Sequence, residues 1–215
     1  MLYDGVQYPC AQRAHEFHFC RLATHARLSV LYAAASDMRS AQAIVFGAGY
    51  DDSQPKGKGY SAAWEMLNVT TGEWSTGTLP SGVARQYGTA VGCGGKVLIA
   101  GGQPGGGRSD AVDIFDSATQ KWSNATLTVA RSNLAAACAS DRFAVIAGGQ
   151  IPGRTTVDVL DTKTGEWGTL EPLNFGRGWL VGAGAGDCVV FGSGPGVKAE
   201  SGAASVDEYC FAAGN

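Results

Sequence analysis

From residue 27 to residue 215 the chain has no histidine; its only three, His15, His18 and His25, lie in the first 26 residues. Histidine is the commonest metal ligand and the usual acid–base group near neutral pH, so most of the chain is expected to carry neither kind of chemistry. The remaining cluster of ligand types, Cys10, His15, His18, Cys20 and His25, has no recognisable metal-site spacing, and no metal or other cofactor is expected. Charge is scarce as well. Charged residues make up 16% of the 215 and the net charge is −3; no basic stripe is present, which argues against nucleic acid as a partner. No apolar run approaches the roughly 18 residues of a membrane span, so no membrane partner is expected. Met1 is not followed by a charged segment and an apolar core of the signal-peptide kind, and a cytoplasmic location is the expectation. Six cysteines are too few for a dense disulfide framework in a chain of this length. Cys93, Cys138 and Cys188 stand in apolar, strand-like surroundings and read as small buried hydrophobes with reduced thiols. The sequons Asn68-Val69-Thr70 and Asn124-Ala125-Thr126 would matter only in a secreted protein.

Glycine is abundant, 32 residues, and recurs at the ends of apolar runs, which points to many tight turns. The stretch 131–167 reads as one modular unit. Arg131 is followed by a small-residue strand at 134–137, a polar turn at Ser140-Asp141 and an apolar strand at 143–147. The pair Gly148-Gly149, an alternating strand at 157–161, a turn at 162–165 and Trp167 complete it. Upstream the same order occurs as Arg85, Gly101-Gly102, 112–116, Thr119 and Trp122. Arg85, Arg131 and Arg177 are evenly spaced (131 − 85 = 177 − 131 = 46). Repeats are read at about 27–80, 85–127, 131–173 and 177–215. The first has a degraded diglycine, Gly47-Ala48-Gly49, and an exposed insert at 51–60. The fourth has Gly192-Ser193-Gly194 and stops before a fourth strand. Each repeat shows short strands and no helical period. One four-stranded sheet cannot bury its own faces, and packing such sheets around an axis is the propeller solution.

The ordered set of diglycine, apolar-then-Asp third strand, Thr-Gly-Glu-Trp turn and tryptophan resembles the kelch repeat. The resemblance covers about residues 27–210 and implies an all-β, kelch-type propeller of about four four-stranded blades. Segment 1–26 stands apart. Its stretch 16–22 resembles a missing outer strand and is expected either to close the fourth blade, as chain ends do in this family, or to leave a partial propeller. Gly101-Gly102 and Gly148-Gly149 are expected where a side chain would strike the neighbouring sheet. Gly72 and Gly165 suit a positive φ, Asn68, Asp116 and Asp161 suit hairpin caps, and Trp74, Trp122 and Trp167 suit the widening space between sheets.

Some relatives of this kind are enzymes, copper-dependent galactose oxidase relatives and iron-dependent specifier proteins among them. The sequence shows no nucleophile with a base at interpretable spacing, and Gly105-Gly106-Gly107 is followed by no phosphate-loop pattern. A catalytic propeller with chemistry in its blade loops is therefore the alternative, and the principal expectation is a non-enzymatic protein-interaction module. The resemblance implies a pocket for a protein or peptide, acidic in character, built from arginines at the start of the first strand of each repeat. Those positions are Arg27, Arg85, Arg131 and Arg177, with Gln86, Tyr87, Ser132, Asn133 and Trp179 beside them as polar and aromatic contacts. Guanidinium groups pair well with carboxylates; the other reading is that these arginines bind neighbouring blades or carbonyls. Arg108 and Arg154 occupy matching places in the loops 103–109 and 150–155, and loops on a rigid scaffold commonly carry binding.

Overall fold

The structure, a computed structural model, describes residues 30–35, 43–51, 54–150, 154–194 and 206–211. These residues form fifteen strands and no helix. Blade one is β1 (Val30–Ala35), β2 (Ala43–Tyr50), β3 (Tyr60–Asn68) and β4 (Trp74–Thr78). Blade two is β5 (Thr89–Cys93), β6 (Lys96–Ala100), β7 (Ala111–Asp116) and β8 (Lys121–Thr126). Blade three is β9 (Ala135–Ala139), β10 (Phe143–Ala147), β11 (Val157–Asp161) and β12 (Trp167–Thr169). Blade four has three described strands, β13 (Val181–Ala185), β14 (Cys188–Gly192) and β15 (Val206–Cys210). Every blade is an antiparallel meander with strands in sequence order. The first strands lie side by side, β1 on β5, β5 on β9 and β9 on β13, and so mark the axis. The segment 16–22 lies outside the described residues.

The inner strands are made of small residues, AAACA in β9 and VGAGA in β13, because successive sheets converge there. A Cβ added at Gly184 would lie 1.9 Å from the Cys138 carbonyl oxygen. Farther out the gap widens and aromatic rings fill it: Trp122 packs on Trp64, centroids 5.5 Å apart, and on Phe115 at 5.3 Å. Both faces of the middle sheets are buried, which requires apolar residues at successive positions rather than alternation. Val97, Leu98, Ile99 and Ala100 show this, with Val97 and Ile99 toward blade one and Leu98 and Ala100 toward blade three. Each such valine, leucine or isoleucine contributes about 1.5–3 kcal/mol on burial.

The turns behave as their residues require. Asn68, Asp116 and Asp161 each accept two backbone N–H groups through Oδ1, from Thr70 and Thr71, Ala118 and Thr119, and Lys163 and Thr164. Gly72 and Gly165 have φ of 74° and 81°. Gly101 and Gly148, at φ 62° and 66°, lie so close to the next blade that a Cβ would meet the carbonyl oxygens of Arg131 and Arg177 at 2.7 and 2.8 Å. Trp122 and Trp167 lie between sheets as expected, whereas Trp74 is exposed, because no described blade packs on its side of blade one.

The cysteines differ from expectation. Cys93 is bonded to Cys138, and Cys188 to Cys210. The first bond joins β5 to β9 across a blade boundary. Its sequence separation of 45 is one short of the repeat, so the fold itself brings the two side by side. The second joins register partners on neighbouring strands. Spacing within one repeat held no sign of either pair.

Candidate functional site

Arg85, Arg131 and Arg177 lie in the segment that leaves the outer strand of one blade and enters the inner strand of the next. All three are fully buried, so they do not form the solvent-facing guanidinium ring that the sequence suggested. Each is tied to an aspartate in the third strand of its own blade. Arg85 Nη2 meets Asp113 Oδ2 at 2.6 Å, Arg131 Nη2 meets Asp158 Oδ2 at 2.6 Å, and Arg177 Nη2 meets Asp207 Oδ2 at 3.1 Å. The other carboxylate oxygen accepts a backbone N–H from the crossing segment, that of Ser81, Thr128 or Asn174. Arg85 also donates to the carbonyl oxygens of Gly101, Val83 and Ile99 and to Ser81 Oγ. Arg131 is less completely satisfied. It donates to Val129 and Ile146 carbonyls, its Nε has no partner, and Asp158 Oδ2 touches Nη2 off the line of a hydrogen bond. Burial pulls the Arg131 guanidinium below its ordinary pKa against the opposing pull of Asp158. The backbone carbonyl of each arginine in turn accepts the N–H of the preceding blade's second glycine, from Gly49, Gly102 and Gly149 at 2.8, 2.9 and 2.9 Å. These arginines are staples of the blade boundary. Asp113, Asp158 and Asp207 are the residues that sequence reasoning missed as partners; an acid in an otherwise apolar strand of every repeat was the available signal. Arg27 lies outside the described residues.

Two residues beyond each arginine the chain turns through a left-handed corner, at Tyr87 (φ 58°), Asn133 (φ 58°) and Trp179 (φ 51°). Such a conformation costs a non-glycine residue on the order of 1–3 kcal/mol and persists where its surroundings enforce it. Here the buried arginine holds one side and a backbone bond holds the other. Asn133 N–H donates to the Tyr87 carbonyl at 2.7 Å, and Trp179 N–H to the Asn133 carbonyl at 2.8 Å. The corners thus run from blade to blade around the mouth where the inner strands begin. Tyr87 and Trp179 are exposed there. Asn133 is not: its side chain is buried and its Oδ1 accepts from Ser132 Oγ. The loops after the diglycines rise on this same side, since Gln103 N–H bonds the Gln86 carbonyl and Gln150 N–H the Ser132 carbonyl. Arg108 is exposed and reaches Gln150 Oε1 at 3.3 Å, linking the loops of blades two and three. Arg154 is half-buried, with its Cβ beneath Gly176 and its Nε enclosed. Of the residues expected at the site, Tyr87, Trp179 and Arg108 are exposed on this side. The structure withdraws Asn133 and the three staple arginines.

The opposite mouth is occupied by hairpin tips. Gly94-Gly95 and Ser140-Asp141 have two positive φ values in succession, as two-residue hairpins require. Gly94 N–H donates to Asp141 Oδ1, Ser140 N–H to the Gly186 carbonyl and Ser140 Oγ to Asp187 Oδ1. The carboxylates there are engaged by the neighbouring blade, and the Cys93–Cys138 bond lies beside them. The two places where cysteines approach a carboxylate, Cys93 and Cys138 with Asp141, and Cys188 and Cys210 with Glu208, have their sulfurs committed to disulfides.

The four meanders, the diglycine contacts and the staple arginines recur blade by blade, and the family profile described as Kelch motif matches residues 84–126. The fold is that of a kelch-type β-propeller. The matched kelch stretch is blade two together with the crossing that carries Arg85. Among solved structures, the one titled "Structure of YjhT" shares this fold with a TM-score of 0.60 at 15% identity. The match covers 83% of this chain and 64% of the other, so the chain spans a little under two thirds of that structure's length. No curated protein matches the sequence.

Proposed function

We propose that this kelch propeller is a protein-interaction module that takes a protein or peptide partner at the mouth bearing Tyr87 and Trp179. The observation that carries the reading is the pair of exposed aromatic side chains on enforced left-handed corners of the packed blades. Tyrosine and tryptophan supply large contact area at low conformational cost and dominate interface energetics. The exposed guanidinium of Arg108, in a loop on the same side, favours an acidic segment in the partner. The side chains at this mouth offer apolar contact and charge pairing, which is binding rather than bond-breaking chemistry. The test is selection of a displayed random-peptide library on the full chain, followed by titration of the selected peptides. Trp179→Ala and Tyr87→Ala each weaken them at least tenfold with an unchanged melt, and Arg108→Ala weakens the acidic ones. Equal binding by all three variants would place the site elsewhere.

The two disulfides favour a chain that folds in an oxidising compartment over the cytoplasm expected from the sequence. Alkylation of the natural protein without reductant, followed by mass analysis, tests this. Labelled Cys93 or Cys188 would return the chain to a reducing compartment.

A further inference from the structure

Two Asn-X-Thr triplets with a non-proline middle residue, Asn124-Ala125-Thr126 and Asn68-Val69-Thr70, lie away from the mouth and the staples. The first is in β8, which pairs only with β7 among the described strands. Side chains alternate along a strand. Ala125 turns into the core shared with blade three, so Asn124 and Thr126 share the other side, and both are exposed. Across the sheet Asn124 ends the row Ile99–Asp113–Asn124, whose first two residues are fully buried. Thr76 and Thr169 hold the same place in blades one and three, two residues past Trp74 and Trp167, and both are exposed. The blades therefore diverge enough at this row to leave the outer strand open to solvent. Asn68, at the turn from β3 to β4, fills the place that Asp116 and Asp161 hold in the next two blades. There each carboxylate is paired with a cation, Lys96 or Arg142. Ala43 stands opposite Asn68 where Lys96 stands opposite Asp116. The cap uses only Oδ1 of Asn68, an oxygen that an amide substituted at Nδ2 retains.

We propose that Asn124 and Asn68 are sites of N-linked glycosylation, which rests on the reading of the two disulfides as bonds formed in an oxidising compartment. In the transfer, the side-chain amide nitrogen displaces a lipid-linked diphosphate from the anomeric carbon of an oligosaccharide. A C–N bond forms, the C–O bond to phosphate breaks, one amide proton is released and the diphosphate leaves. Attachment before the blade closes requires only that the folded blade give a bulky, solvated group room. The open row at Asn124 gives it, and so does the replacement of a cation by Ala43 at Asn68. Neither glycan obstructs the mouth of Tyr87 and Trp179. β8 is three strands out from β5. The β3–β4 turn is at the far end of its blade, as is the equivalent turn of blade two, whose Ser117 N–H meets the Gly95 carbonyl at the β5–β6 tip. A glycan along β8 also covers a strand edge, the part of a sheet most prone to pair with other chains.

The natural protein is alkylated without reductant, treated in heavy-oxygen water with the amidase that releases N-linked glycans, then digested and sequenced by mass. Release turns a glycosylated asparagine into an aspartate carrying heavy oxygen. That label is expected at both Asn124 and Asn68 and is expected to be absent from an untreated half of the sample. Thr126→Ala and Thr70→Ala chains made in the same cells each keep the asparagine and should each lose its label alone, with an unchanged melt. Bonded Cys93, Cys138, Cys188 and Cys210 beside an unlabelled asparagine overturn the proposal at that residue and leave the oxidising compartment standing. Free cysteines with neither asparagine labelled overturn both. A label that survives loss of its threonine marks simple deamidation and overturns the glycan at that site.

Discussion

Asp158→Ala isolates the staple that joins blades two and three. The substitution leaves Arg131 fully buried, deprived of its 2.6 Å carboxylate partner and already short of a partner at Nε. An uncompensated buried charge of this kind costs about 3–5 kcal/mol, and the Thr128 N–H loses its acceptor as well, adding about 1 kcal/mol. At about 2–4 °C per kcal/mol for a chain of this size, Tm falls by about 10 °C or more. The double change Arg131→Met with Asp158→Leu removes both charges and keeps similar volume, and its Tm should return to within about 5 °C of the parent, since apolar replacement of a buried pair is often neutral. Scanning calorimetry of the parent, Arg131→Met, Asp158→Leu and the double variant gives the coupling. If Asp158→Ala melted with the parent, the pair would not hold the boundary. If Asp158→Ala kept its Tm and instead abolished peptide binding, the arginines would be site residues after all.

Gly148→Val introduces a β-branched side chain at φ 66° with the Arg177 carbonyl 2.8 Å from the new Cβ; a loss of about 3 kcal/mol or more is expected in urea unfolding, and a parent-like midpoint would refute the close approach. Replacing Cys93 and Cys138 by alanine releases a cross-link over 45 residues, and replacing Cys188 and Cys210 one over 22. Chain entropy gives about 4 and about 3 kcal/mol respectively, so thermal melts should rank the first pair as the larger loss. Burial, and then the carboxylates of Asp207 and Glu171, push the Tyr209 phenol up to about 12. A raised folded pKa means stability fully present below the unfolded value near 10 and lost as pH climbs toward 12. Tyr209→Phe should flatten the fall in Tm over that window, and an unaltered slope would contradict the assignment. Asp161 is held well below the usual carboxylate range, first by its hydrogen bond from Arg142. Its contribution is present above pH 4 and is lost as acid protonates it, so Arg142→Ala should weaken the acid-side dependence of Tm.

The fold was legible because each propeller feature has a local residue requirement. Turn glycines, hairpin-capping Asn68, Asp116 and Asp161, and the tryptophans repeat in an order that only one architecture explains. The site was legible in part. Position two after each arginine was readable as a place near the mouth, with Tyr87, Asn133 and Trp179 named there, and Arg108 was named in the loop after the diglycine. Whether the arginines faced solvent was not readable, because that depends on an aspartate two strands away, contributed by Asp113, Asp158 or Asp207. The same distance in sequence hid the Cys93–Cys138 bond, which becomes local only after blades two and three are stacked. Asn133 was misjudged because identical backbone corners carry side chains of different reach. Tyr87 and Trp179 project past the rim, while the shorter asparagine folds back onto Ser132.

The bond from each second glycine to the following arginine carbonyl gives the chain a direction. Gly49, Gly102 and Gly149 donate forward, always to the blade made next. During synthesis a blade that has just left the ribosome therefore holds an unanswered N–H at its diglycine until the next crossing segment emerges. Blades one to three are each finished by the blade that follows, and the order of translation is also the order in which these three boundaries become sealed.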